Sequence, residues 1–138
     1  MPIVYFDSSA FVKLIVEEEG SDLAAELWDK SDAAVSSRLA YPEVRAAIAA
    51  AARDHRLDSV AERVAVREWE QYWAGVRVVE FSGAVSGHAG TLAGEHRLRG
   101  ADAVHLASAL ALGSDPVVAV WDAGLASAVR DLGLVAVP

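Results

Sequence analysis

Five short apolar runs punctuate the chain, at Ile3–Phe6, Ala34–Ser36, Val76–Phe81, Val117–Trp121 and Leu134–Val137. Each is short and apolar rather than alternating, the pattern of strands covered on both faces. Helical spacing fills the gaps. A first helix is predicted from Ser8 or Ser9 to about Glu19, with Phe11, Leu14 and Ile15 on one face and Gly20 as its stop. Ser21–Lys30 forms a second, with Ser21 as N-cap. A long Ala-rich helix covers Leu39–His55, starting either at a Ser37 cap or at Pro42, which suits a first helical turn. Asp58 caps a helix reaching Tyr72 or Trp73. Two more cover Gly83–His96 and Ala101–Leu112, and a last one runs Ala123–Leu132 before Gly133.

Strands alternating with helices imply an α/β domain with a mainly parallel sheet. The third and fourth helices follow each other without a strand, so the scheme is a variant of the doubly wound type with extra helices on one side. In such sheets chemistry collects outside the carboxyl ends of the strands. Asp7 ends the first strand and Asp122 directly follows the fourth, which places both at one edge.

Length adds that 138 residues form a single domain spanning 1–138, large enough to bury its own core. The absence of cysteine excludes disulfides and thiolate metal sites. No signal-peptide order opens the chain, and no apolar run approaches the roughly 18 residues of a membrane helix. The expectation is a soluble, cytoplasmic protein without a membrane partner. A net charge of −8 argues against a generic nucleic-acid binder, which carries a basic face. It leaves room for an enzyme that concentrates carboxylates around a metal, because the ion reverses the local charge.

Four carboxylates stand out by context. Asp7 lies between an apolar strand and a helix. Glu43 is the one acid in the first turns of an Ala-rich helix. Asp102 opens "ADAVHLASA", and Asp122 sits at a strand-to-helix junction in "VAVWDAGL". Each also has a plainer reading. Asp7 and Asp122 suit N-caps, Asp102 suits a helix dipole, and Glu43 beside Arg45 suits a solvated face. His105, one turn after Asp102, reads as a structural hydrogen-bonding residue, with a metal-ligand role as the alternative. A helix entering at Asp102 would bring a third carboxylate toward Asp7 and Asp122, and three or four carboxylates in one pocket repel strongly enough to raise some pKa values. A hard divalent cation, Mg²⁺ or Mn²⁺, relieves that conflict.

The segments "VYFDSSAFVKL", the isolated Glu43, "ADAVHLASAL" and "VWDAGLASAVRDLGL", in that order, resemble a PIN-domain protein, and in size and spacing a VapC-type toxin ribonuclease. The resemblance covers nearly the whole chain. It implies a three-layer α/β sandwich on a five-stranded parallel sheet and a metal-dependent endoribonuclease. The acidic quartet would fall on Asp7, Glu43, Asp102 and Asp122, as catalytic residues and ligands of Mg²⁺ or Mn²⁺. Ser9 would match the family's small hydroxyl, orienting Asp7 or contacting phosphate. The resemblance further implies an RNA substrate, a cognate antitoxin protein and a homodimer. One departure is Val120, where such proteins often carry Thr or Ser two residues before the fourth aspartate; Trp121 is also bulky for that place.

Lys13, one turn after Ser9, reads as a substrate-phosphate contact or a solvated lysine. Glu17-Glu18-Glu19 reads as a solvated end of the first helix or a landing point for a basic antitoxin segment. Trp69, Tyr72 and Trp73 share a helix face and read as core, with an interface as runner-up. Rival enzymes lose ground on motif. Asp7 is followed by Ser8 and Ser9, not by the second aspartate at i+2 of a phosphatase, nor are acids paired as in a response receiver. The remaining alternative is a non-catalytic PIN-like interaction module.

Overall fold

The computed structural model describes residues 3–113 and 115–138. Its elements run β1 (Ile3–Phe6), α1 (Ser8–Ile15), α2 (Ser21–Lys30), β2 (Ala33–Ser37), α3 (Ala40–Arg53), α4 (Ser59–Ala74), β3 (Val76–Val79), α5 (Gly83–His96), α6 (Gly100–Leu110), β4 (Val117–Ala119), α7 (Ala123–Asp131) and β5 (Val135–Val137). The strands form one sheet in the order β3-β2-β1-β4-β5, every neighbouring pair parallel. Order reverses between β1 and β4, which makes their carboxyl ends the switch point of the sheet.

Alternation along β1 assigns the layers. Val4 and Phe6 face a core shared with Phe11, Leu27, Val44, Ile48 and Trp69, from α1 to α4. Tyr5 faces the opposite core, built with α5, α6 and α7 through Leu92, Leu106, Leu125 and Val129. The result is a three-layer α/β sandwich, with α3 and α4 packed consecutively as the missing strand between them implied. Trp69 is fully buried and packs on Phe11 and Tyr41, while Tyr72 meets Trp28, so the aromatic face of α4 is core. Among the described residues no helix is long and apolar enough to cross a membrane.

Element boundaries differ from expectation where side chains redirect the backbone. Helix α1 ends at Ile15, not near Glu19, and Val16 turns to an extended conformation. Three successive glutamates at a helix C-terminus oppose its dipole, so the helix stops before them. Glu17 and Glu19 are left exposed, and Glu18 pairs with Lys13. Gly20 does not stop α1 but serves as N-cap of α2 in the left-handed region at φ 95°. Ser21 is the first helical residue instead of the cap, because its hydroxyl accepts from the Glu18 N–H. Neither Ser37 nor Pro42 starts α3. It begins at Ala40, with Pro42 inside the first turn, while the Ser37 hydroxyl accepts from the Leu39 N–H. Strands β3 and β4 stop short of Phe81 and Trp121.

Candidate active site

Two of the four acids are placed by the caps they form. Asp7 is the N-cap of α1: Oδ1 accepts from the Ala10 N–H at 3.0 Å and the Ser9 hydroxyl at 2.6 Å. Asp122 is the N-cap of α7, with Oδ1 accepting from the Leu125 N–H at 2.8 Å. Both therefore sit at the carboxyl side of adjacent strands. Glu43 and Asp102 lie in the first turns of α3 and α6.

The second pair is placed by tertiary hydrogen bonds. Glu43 Oε1 accepts from the Ser8 hydroxyl at 2.5 Å and lies 2.6 Å from His105 Nε2. His105 Nδ1 lies 2.7 Å from the hydroxyl of Tyr5 on β1. His105 thus bridges the two helical layers over the end of the sheet, with Glu43 on one side and Tyr5 on the other. Both of its nitrogens are engaged, so it is a hydrogen-bonding residue as expected, and the structure adds its partners. The Asp102 carboxylate takes both contacts from Arg99 on Oδ2, at 3.1 and 3.2 Å.

Electrostatics set Asp7 apart. It is only 4% exposed, and burial pushes its carboxyl above the usual range. The Ser9 hydroxyl, the nearby His105 and the Ala10 N–H counter this in part, whereas the charge of Asp102 adds to it. Asp7 and Asp102 therefore share a local field, but it is burial that chiefly disfavours the ionised form of Asp7. Glu43 behaves oppositely. Burial alone would raise its carboxyl, but the hydrogen bonds from His105 and Ser8 outweigh it and hold the carboxyl below the usual range.

One regularity connects the four. Among the described residues, the hydrogen bonds to each carboxylate fall on a single oxygen: Oδ1 of Asp7, Oε1 of Glu43, Oδ2 of Asp102 and Oδ1 of Asp122. The second oxygen of each keeps its lone pairs. Carboxylate oxygens with free lone pairs are the hard donors that a divalent cation such as Mg²⁺ or Mn²⁺ takes. As the side chains stand, no group of three or more Asp, Glu or His among the described residues converges as a ready-formed metal cage. Asp102 in particular leans on Arg99.

Ser9 and Lys13 flank this edge. The Ser9 hydroxyl, besides orienting Asp7, accepts from the Trp121 N–H at 3.3 Å. Lys13 is neither solvated nor free; it pairs with Glu18 at 3.1 Å and lies 5.4 Å from the centroid of the Trp121 ring. The bulk of Trp121 is thereby used as a floor under Lys13 and Gly20. Sequence reading passed over Ser8, Tyr5 and Arg99. Only Arg99 left a local signal, its i, i+3 spacing from Asp102; the contacts of Ser8 and Tyr5 arise from chain segments far apart.

Fold and site together define an α/β domain with an acidic edge at the switch point of a parallel sheet. The chain belongs to the PIN domain family, whose pattern matches residues 4–127. It is 65% identical over 124 residues to the Mycobacterium tuberculosis protein Ribonuclease VapC45 (strain CDC 1551 / Oshkosh), covering 88% of this chain and 85% of that protein. The same figures hold for Ribonuclease VapC49 of strain H37Rv. Among solved structures it is similar to FitAcB from Neisseria gonorrhoeae, at TM-score 0.72 and 19% identity over 98% of this chain and 96% of that one. It is also similar to Mycobacterium tuberculosis VapC20, described as a Sarcin-Ricin loop cleaving toxin, at TM-score 0.69 and 17% identity over 96% of each chain. These two structural likenesses bear on the fold alone.

Proposed function

We propose that the chain is an endoribonuclease, the toxin of a toxin–antitoxin pair, hydrolysing RNA phosphodiester bonds at the Asp7 edge of the sheet. The observation that carries the reading is that Asp7 and Asp122 cap the helices that leave two adjacent strands, and that each of the four carboxylates is hydrogen-bonded through a single oxygen. The high identity to two ribonucleases of the VapC type supports it. Asp7, Glu43, Asp102 and Asp122 are the residues that would hold Mg²⁺ or Mn²⁺. Such an ion supplies an acidified water and positive charge for the phosphoryl oxygens.

The chain's own groups set the conditions for that chemistry. Ser9 and Ala10 fix the Asp7 carboxylate, and its burial disfavours the ionised form. Glu43 stays ionised because His105 and Ser8 hold its anionic form. Arg99, exposed beside Asp102, is a cation that a substrate phosphate can attract away from the carboxylate. Lys13 becomes a phosphate contact only when released from Glu18. The partners in this reading are an RNA substrate, an antitoxin protein and a second copy of the chain, in the cytoplasm. Structures of FitAB bound to a DNA fragment and of VapBC-1 from nontypeable Haemophilus influenzae are among the fold neighbours.

A second reading is a non-catalytic PIN-like interaction module, favoured by the lack of a preformed three-ligand cage among the described residues. Cleavage of a mixed structured-RNA pool with Mg²⁺ or Mn²⁺ tests the two. The enzyme reading expects cleavage that disappears with EDTA and in Asp7→Asn. Equal cleavage by both proteins points away from this site, and no cleavage together with no Mn²⁺ binding favours the module.

A further inference from the structure

We infer that Tyr5 and His105 are positioning residues, a buried hydrogen-bond relay that locks the Glu43 carboxylate by its Oε1 and reserves Oε2 for the site. The inference deepens the metal-site reading above and rests on it for its consequence.

Both ends of the relay dictate the direction of its protons. An ionised carboxylate can only accept, so the 2.6 Å contact at Glu43 Oε1 requires a proton on His105 Nε2. At the other end, the Tyr5 hydroxyl is fully buried, and burial pushes its pKa far above the ordinary range, so it keeps its proton. Two serine hydroxyls near Tyr5 direct their own protons elsewhere, Ser36 to the Phe6 carbonyl at 2.6 Å and Ser108 to the Val104 carbonyl at 2.7 Å. With the proton on Nε2, Nδ1 of the neutral imidazole is an acceptor, and Tyr5 donates to it at 2.7 Å. An edge-on ring contact, with centroids 5.9 Å apart and planes at 74°, holds the two rings in that relation.

The consequence falls on Glu43. Its side chain leaves α3 on several rotatable bonds, and a partly exposed glutamate would sample many of their settings. Two donors from two different elements, Ser8 of α1 and His105 of α6, converge on one oxygen and remove that freedom. Ser8 Oγ and His105 Nε2 are themselves 3.1 Å apart, so the pair forms one bidentate grip. His105, only 3% exposed and bonded at both nitrogens, is not poised as a ligand itself. Groups that orient a ligand oxygen in this way typically govern metal affinity by about 10–100-fold.

The test has two readouts on the full chain. In metal-free protein, long-range ¹H–¹⁵N spectra of the histidine rings, with His105 assigned by its loss in His105→Gln, report the tautomer. The expected pattern is a proton on Nε2 and an accepting Nδ1 whose signal moves in Tyr5→Phe. A proton on Nδ1 overturns the relay. The second readout is Mn²⁺ affinity by calorimetry, with a thermal melt as control. His105→Leu is expected to weaken binding about 10–100-fold, and His105→Gln, which can accept from Tyr5 and donate to Glu43, to recover most of it. A folded His105→Leu with wild-type affinity overturns the positioning role, since a purely structural residue would shift only the melt. Should His105→Leu not fold, Tyr5→Phe, which removes the donor to Nδ1, carries the same comparison, and a folded Tyr5→Phe with wild-type affinity overturns the role. Wild-type protein that binds no Mn²⁺ counts against the metal reading, and the metal-free spectrum then still decides the relay.

Discussion

The backbone N–H of Trp121 donates to the hydroxyl of Ser9, 112 residues away in the chain, at 3.3 Å. The same hydroxyl donates to Asp7 Oδ1 at 2.6 Å. One side chain thus registers the end of β1 against the segment that leads from β4 into Asp122. Val120, which stands where the resemblance leads one to expect a hydroxyl, is 1% exposed in the sheet core. The hydroxyl at this junction comes from Ser9. Ser9→Ala removes both bonds, and the lost partners predict a destabilisation of about 1–3 kcal/mol in urea melts. It also removes the first of the interactions that hold the Asp7 carboxyl down. The Asp7 titration, followed by carboxyl ¹³C shifts, should move upward in the variant.

Asp7→Asn gives a second prediction, with a sign that depends on pH. Burial raises the folded carboxyl above its ordinary value of 3.8, so the unfolded chain ionises first as pH rises. The ionised group therefore costs the fold stability. That cost is absent below the ordinary value and complete once pH has passed the folded value. Asparagine keeps an oxygen for Ser9 and Ala10 without the charge. In EDTA at neutral pH the variant should melt above wild type, each kcal/mol being worth roughly 3–5 °C in a chain of this size. The gap should close as pH falls through the folded value. A variant that melts lower at neutral pH would show that the buried charge is already compensated.

The same aspartate shows how far sequence reaches into this site. Capping and site chemistry look like competing accounts of Asp7 and Asp122, yet they are compatible, because a cap uses one carboxylate oxygen and leaves the other. Strand-to-helix junctions are local, and so both positions were legible in the order of apolar and polar residues. The strand order that makes β1 and β4 neighbours followed from general topology. Glu43 was legible only as an unusual acid in an Ala-rich helix. Its partners Ser8 and His105 lie 35 and 62 residues away, and no local pattern encodes contacts at that separation. The first helix was drawn too long for a similar reason. Its apolar face continues to Val16, but the glutamates that follow and the hydroxyl of Ser21 turn the chain out.

Arg99 supports a third prediction. Its side chain is 82% exposed and reaches Asp102 from three residues before it on the same helix start. Exposed pairs of this kind contribute about 0.2–1 kcal/mol. Arg99→Gln should therefore leave the melting temperature nearly unchanged. It should, however, remove a cation that competes for Asp102, tightening Mn²⁺ binding by up to about fivefold at low ionic strength, with less effect as salt screens the pair. Calorimetric titrations at two salt concentrations would check it. Weaker binding in the variant would instead place Arg99 among the groups that hold Asp102 in its working position.

Gly20 supports the last prediction, which concerns the floor of the site. It adopts φ 95°, a region that L side chains rarely enter, and a methyl group added there would lie 2.7 Å from Trp121 Nε1 and 3.0 Å from Lys13 Cδ. Gly20→Ala therefore meets strain twice, once in the backbone and once against an indole that has Lys13 above it. The expected cost is about 1–3 kcal/mol, read from urea melts. Relief is available only if Trp121 or the 16–20 turn shifts, and Trp121 directly precedes Asp122 while its N–H rests on Ser9. The variant should accordingly show altered Trp121 fluorescence and a chemical-shift change at Ser9. A Gly20→Ala protein with wild-type stability and an undisturbed Ser9 would mean that the turn yields without moving the indole, and that the floor is not coupled to the acidic edge.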